Sequence, residues 1–290
     1  MRSWLVGIII FSILLIGGVL VYINQTKEVP IEKTETETPE TKAPFKTKKI
    51  IGHSVLGRSI ESYTYGQGDK EIIFVGGIHG GYEWNTVLLA YKLMDYLEAN
   101  PEFVPASLTI TIIPSANPDG VFKVTGKEGR FLASDVPDGL EPPFGRFNAN
   151  DVDLNRNFDC KWQSESTWRN QPVSAGTAPF SEPEAEAIKN IVLEHQPEAV
   201  VFWHSQSNAV YPGYCQEGIS AGSRMLMDLY AKASGYRAIE SFDHYKITGD
   251  AEGWLATIGI PAITVELKTH QSIEWDENLA GVTALIDYYK

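Results

Sequence analysis

The chain has 290 residues, 43% of them hydrophobic and 21% charged, a balance that suits a globular fold and excludes wholesale disorder. Net charge is −13, and because the first 48 residues hold six basic and five acidic side chains, the remainder carries 18 basic against 32 acidic, or −14. So acidic a domain lacks the basic footprint that wrapping nucleic acid requires.

From Trp4 to Ile23 the chain reads WLVGIIIFSILLIGGVLVYI, without a charge. At about 1.5 Å rise per residue, such a helix spans a hydrocarbon core of about 30 Å, so residues 1–23 are expected to form a membrane anchor. The alternative is a signal peptide removed by cleavage, whose apolar stretch is shorter and ends in a small-x-small site not seen here. No cysteine follows the run, which argues against a lipoprotein anchor. Arg2 and the amino terminus favour a cytoplasmic start, although Lys27 and Lys33 lie close on the other side, and the following domain is expected outside the cytoplasm. Residues 24–48, rich in Thr, Glu, Lys and Pro, read as a flexible tether, because they cannot bury enough surface to offset their ordering entropy. Residues 49–290 are enough for one α/β domain.

Apolar runs then alternate with helical patterns. EIIFVGGI (71–78) reads as a buried strand, and residues 84–100 as a helix with Val87, Leu88, Tyr91, Leu93 and Leu97 at helical spacing. LTITIIP (108–114), AVVFWH (199–204) and PAITVEL (261–267) are further strands. SEPEAEAIKNIVLEH (181–195) opens with the Ser, Glu and Pro of a helix start, and residues 277–289 form the last helix. This alternation predicts a mostly parallel sheet covered on both faces, with its site beyond the carboxyl ends of the strands. Cys160 and Cys215 are the only cysteines: two inert core thiols or one disulfide, the latter favoured outside the cytoplasm.

The strand ends carry the chemistry. The first strand leads into His79 and Glu83, whose spacing places both on one helical face; the third ends in His204 and the fourth in Glu266. Two histidines and one carboxylate around an open fourth position make a catalytic zinc site. Each residue alone more often has a structural role, but all four meet at strand ends that one crevice can collect.

Together with GHSVLGRSIE (52–61), NPDG (117–120), DLNRNF (153–158) and YKITGDAEGW (245–254), in that order, this pattern resembles the zinc carboxypeptidases of the carboxypeptidase A/B type over about residues 50–290. The resemblance implies a mixed eight-stranded sheet with helices on both sides, one zinc ion per chain, and hydrolysis of a carboxy-terminal residue. It would make GHSVLGRSIE the opening strand and NPDG a turn after a central strand. It would make His79, Glu83 and His204 the zinc ligands, and Glu266 the general base that activates water and passes the proton to the leaving amine. Asn155 and Arg156 would hold the terminal carboxylate and Tyr245 would close over the bound residue. Arg146 is the chosen oxyanion arginine, with Arg130 its rival. One departure stands out: the usual HxxE is here His-Gly-Gly-Tyr-Glu, one residue longer, and Tyr82 stands near a position where many digestive members carry arginine.

Glu252, seven residues after Tyr245, falls where the family's pocket-floor residue lies, with Asp250 as second candidate. An acid there selects basic terminal residues, or the amine of diaminopimelate in cell-wall stem peptides; the alternative is a solvated acid on a short helix. Trp162 and Trp168 are wall or core residues. His53, His195 and His270 are expected on surfaces or in local hydrogen bonds, and His244 in a loop. The function expected is a membrane-tethered zinc carboxypeptidase. The alternatives are a deacylase-type amidase of small N-acyl amino acids and a non-catalytic binding module. A serine or cysteine hydrolase has no support, since no GxSxG occurs and neither cysteine is set as a nucleophile.

Overall fold

A computed structural model describes residues 46–216 and 218–290. The expected anchor over residues 1–23 lies outside them, as does most of the tether; among the described residues, no helix is long and apolar enough to cross a membrane. Strand β1 (Lys46–His53) begins inside the stretch whose composition reads as tether.

The strands that follow are β2 (Ser59–Gly66), β3 (Lys70–Val75), β4 (Leu108–Ile113), β5 (Glu165–Trp168), β6 (Gln171–Ser174), β7 (Ala199–Ser205), β8 (Ala209–Pro212), β9 (Arg237–Ala238) and β10 (Ala262–Leu267). Eight of them form one sheet in the order β1-β2-β4-β3-β7-β10-β8-β9, while β5 and β6 pair as a separate hairpin. The ladders β3–β4, β3–β7, β7–β10 and β8–β9 are parallel; β1–β2, β2–β4 and β8–β10 are antiparallel. The sheet is therefore mixed, with its parallel part at the centre.

Alternation within the central strands decides the layering. In β3, Ile72 and Phe74 enter one apolar cluster and Ile73 and Val75 another, so the strand is covered on both faces. Helices α1 (Trp84–Ala99), α4 (Ala221–Ser234) and α6 (Trp275–Tyr289) supply Leu93, Leu226 and Leu285 to the first cluster. Helices α3 (Pro183–His195) and α5 (Ala251–Thr257) supply Ile188 and Leu255 to the second. Every side chain of β7 is buried, as a central strand between two helical layers requires.

Two of the expected local elements differ. GHSVLGRSIE is not one strand but the end of β1, a turn and the start of β2; Gly57, at φ 81°, supplies the left-handed residue of that turn. NPDG is not a free turn but the start of helix α2 (Pro118–Thr125): the Asn117 side chain accepts a hydrogen bond from Gly120 N, and Pro118 occupies the first turn, where its missing N–H costs nothing. Cys160 and Cys215 form a disulfide, with Cα atoms 5.8 Å apart.

Candidate active site

After β3 the chain passes His79 and enters a short 3-10 helix, Gly80–Glu83, before α1 begins at Trp84. The His79–Glu83 pair thus lies across a 3-10 turn rather than on one face of an α-helix. Packing dictates the turn. Gly80 has φ 51°, and a Cβ there would stand 2.5 Å from Gly145 O and 2.8 Å from Gly120 Cα, so the backbone approaches too closely for any side chain. The residue added to the HxxE spacing is absorbed here, and His79 Nδ1 still lies 2.9 Å from Glu83 Oε1.

His204 arrives from the end of β7, and its register partner on the adjacent parallel strand β10 is Glu266. His204 Nδ1 is 3.1 Å from His79 Nδ1 and 3.1 Å from Glu83 Oε2. One donor atom from each of His79, Glu83 and His204 fits within 4.8 Å of the others, and all three residues are buried.

The far side of each imidazole faces an acid. His79 Nε2 is 3.4 Å from Asp153 Oδ1, and His204 Nε2 is 3.5 Å from Glu252 Oε1. A carboxylate behind a histidine fixes the ring and its tautomer, so that Nδ1 keeps its lone pair for a metal. Asp153 is itself held by Arg146, whose Nε and Nη2 donate to Oδ2 at 3.0 and 2.9 Å. Burial opposes the charge on Asp153, but Arg146 and Arg156 hold it well below the usual carboxylate range. Burial likewise opposes ionisation of Glu83, and the two histidines overcome it.

This donor set fits a zinc ion. Two imidazole nitrogens and a carboxylate converge, and Glu83 Oε2 is buried without a hydrogen-bond partner. Charge agrees: the carboxyls of Glu83, Asp153 and Glu252, all held below the usual range, outnumber the two buried guanidiniums of Arg146 and Arg156, an excess of negative charge that suits a divalent cation. Glu266 Oε2 is also buried and unpartnered. Burial, with the negative charge of Glu83 added, pushes the Glu266 carboxyl up to about 7.

A cavity of about 740 Å³ opens over these groups, lined also by Asn155, Arg156, Trp168, Tyr245 and Asp250. Arg156 is buried and donates to Thr167 O through Nε and Nη2 and to Asn155 O through Nη1. Three of its five N–H groups are thereby used, leaving one on each terminal nitrogen for a carboxylate. Asn155 accepts from Ala251 N and so joins α5 to the site. The guanidinium of Arg156 lies 6.0 Å from the Tyr245 ring centroid. Of the two rival arginines, Arg146 is buried with Nη1 3.7 Å from Glu83 Oε1, whereas Arg130 pairs with Asp95 in a half-exposed bridge outside the cavity lining. Glu252 reaches the cavity, but its Oε1 accepts from Thr264 Oγ1 at 2.8 Å as well as facing His204. It is a buried acid with partners, not a solvated one. Asp250 caps α5 by accepting from Gly253 N. Burial and the neighbouring Glu252 raise its pKa to about 6.

Three contributors take their places in the site only through the fold. Asp153 opens the DLNR run, yet its partners His79 and Arg146 reach it only through the fold. Trp168 proves to be a wall residue: its ring lies 4.6 Å from the Arg146 guanidinium and 5.4 Å from the Tyr82 ring. His270 sits beside the site, its Nδ1 2.7 Å from Ser205 Oγ and its ring 4.6 Å from Tyr82. Ser205 in turn donates to Asn85 Oδ1, and Asn85 Nδ2 donates to the carbonyls of Thr269 and Ser272. With both amide hydrogens of Asn85 spent, this chain of donors orients the residue next to His204. Trp162 donates to Ala175 O, His195 bonds Glu71, and His244 lies at the cavity rim.

The sequence profile described as zinc carboxypeptidase matches residues 33–275. Gamma-D-glutamyl-L-diamino acid endopeptidase 1 of Lysinibacillus sphaericus is 28% identical over 250 residues, 79% of this chain and 62% of its own length. Murein peptide amidase A of Escherichia coli (strain K12) is 30% identical over 151 residues, 49% of this chain and 58% of its own. The crystal structure of murein-tripeptide amidase from Escherichia coli O157 shares the fold, with TM-score 0.58 and 22% identity over 82% of this chain and 91% of that one. The chain thus spans about six-tenths of the length of these curated relatives.

Proposed function

The chain belongs to the zinc carboxypeptidase family, and from that membership we propose a metal-dependent peptidase that releases a basic or diamino-acid residue from the carboxy-terminal end of a peptide, with cell-wall stem peptides the favoured class. The convergence of His79, Glu83 and His204 beneath the cavity that Glu266 and Arg156 line carries the reading. Asp250 and Glu252, two acids lining that cavity, make its wall negative and so favour a cationic end group. The names of the two curated relatives point to the same class of substrate.

His79, Glu83 and His204 would hold one zinc ion, which when bound supplies Lewis-acid polarisation of the scissile carbonyl and of water. Arg156, fixed by its carbonyl partners, would clamp the terminal carboxylate with its two remaining N–H groups, and Asn155 would flank it. Tyr245 would cover the bound residue. Arg146 would stabilise the negative charge that develops on the carbonyl oxygen, its own position set by Asp153. Glu266 would take the proton from water and deliver it to the leaving amine.

The same proposal places the domain outside the cytoplasm, tethered by the uncharged run Trp4–Ile23. The Cys160–Cys215 disulfide supports that location, because such bonds persist in oxidising compartments. The test is zinc content of the purified full chain, with hydrolysis of peptides ending in Lys, Arg, Phe, Glu or diaminopimelate. One zinc per chain with preferred release of a basic or diamino end is expected. Zinc with cleavage of only apolar or acidic ends would overturn the substrate class.

A further inference from the structure

Seven arginines lie among the described residues. Arg58, Arg130, Arg146 and Arg224 each pair with a carboxylate. Arg156 and Arg237 donate to backbone carbonyls. Arg169 alone among them has no polar partner among the described residues, although the domain around it is strongly acidic.

It is nonetheless firmly placed. Trp168 pairs with Gln171, so Arg169 and Asn170 make a two-residue turn between β5 and β6, with φ values of 49° and 60°. The hairpin is fastened to the site beneath: Ser166 Oγ is 2.9 Å from Thr248 Oγ1, Thr167 Oγ1 donates to Lys246 O at 3.0 Å, and Thr167 O receives Arg156. The Arg169 guanidinium lies 4.8 Å from the Trp168 ring centroid, and both residues line the catalytic cavity. Such a contact holds a cation in place while leaving its N–H groups free.

We propose that Arg169 is a specificity residue that binds a free carboxylate on the acyl side of the scissile bond, the α-carboxylate of a γ-linked glutamyl residue. The inference rests on the cell-wall peptide reading above and narrows it. In a γ-glutamyl amide the α-carboxylate is left unbonded, roughly 5 Å along an extended chain from the scissile carbonyl carbon; an α-linked residue other than glutamate has no anion at that distance. The carbonyl reacts beside Arg146, and Arg146 and Arg169 both lie against the same Trp168 ring, 4.6 and 4.8 Å from its centroid. The two guanidiniums are therefore less than twice that distance apart, a limit within which one substrate can reach both with its carbonyl and its free carboxylate. Arg156 meets the carboxylate on the leaving side, so the two arginines would read opposite ends of one γ-linked dipeptide unit.

The experiment compares two peptides on the full-length, zinc-loaded protein: γ-D-glutamyl-diaminopimelate, and the same peptide with γ-aminobutyrate in place of glutamate, which removes only the carboxylate. The glutamyl peptide should be favoured at least about tenfold in kcat/KM, chiefly through KM. That ratio should collapse to about one in Arg169→Gln and be partly retained in Arg169→Lys. A thermal midpoint unchanged from the unsubstituted protein would exclude misfolding of the exposed turn. Equal cleavage of both peptides by the unsubstituted protein, or a preference that survives in Arg169→Gln, would overturn the inference and leave the proposed function standing. Cleavage of neither peptide, with conventional α-linked ends released, would overturn the stem-peptide reading and this inference with it.

Discussion

At the carboxyl ends of β3 and β7, His79, Glu83 and His204 are buried and each faces an oppositely charged or chargeable neighbour, while at the β5–β6 turn Arg169 is exposed and faces none among the described residues. The first region is built from the inside: acids stand behind both histidines, and a guanidinium stands behind one of those acids. The second is built to be completed by something else. The contrast separates two tasks. Bond breaking needs groups that do not move, so it is placed on strand ends and their buried supports. Choice of substrate needs a charge left unsatisfied, and on the reading proposed for Arg169 a turn at the rim supplies it.

The comparison can be broken at several points. The largest effect expected is in Glu266→Gln, which should lower kcat by about 10³-fold while metal content stays unchanged, since Glu266 is outside the ligand trio. Loss of zinc together with activity would show that Glu266 belongs to the metal site instead. Next comes Asp153→Asn, which keeps the shape but removes the charge behind His79 and beside Arg146. Metal affinity, measured by competition with a chelator, should fall about 10–100-fold; an unchanged affinity would mean the acid supports only the fold.

The smallest effect is graded with pH. Glu266 must be ionised to accept a proton, and burial beside Glu83 raises its pKa to about 7. Activity should therefore fall as pH drops through a value above the ordinary carboxylate range. A bound cation draws the value back down, so the limb in kcat/KM should lie between about 4.3 and about 7. Glu266→Gln should abolish that limb. A limb confined below the ordinary range would mean that burial does not govern this carboxylate.

Much of the strand-end region was legible in the sequence, because a histidine or acid that closes an apolar run is visible as such. His204 and Glu266 are of this kind, and the structure brings them side by side. The spacing of His79 and Glu83 predicts one face of an α-helix, whereas the structure has a 3-10 turn there. The 3-10 turn depends on Gly80 meeting Gly120 and Gly145, residues from distant segments. Asp153 opens the DLNRNF motif, but its support of His79 and Arg146 is a tertiary fact. The rim was least legible of all, since that Arg169 lacks a partner emerges only when the neighbours of every other arginine are known. Glu252 shows a middle case: its position could be counted from Tyr245, whereas its bond to Thr264 and its approach to His204 could not.

The pairing of His204 with Glu266 across β7 and β10 has one more consequence. Neighbouring strands lie about 4.8 Å apart, a spacing set by backbone hydrogen bonds and not by side chains. The sheet therefore acts as a ruler between a metal ligand and the residue assigned as base, with a length no surface loop can alter. Divergence can add a residue to the turn after β3, or replace the rim hairpin entirely, without changing that interval. A one-residue slip between β7 and β10 would instead carry Glu266 to the opposite face of the sheet.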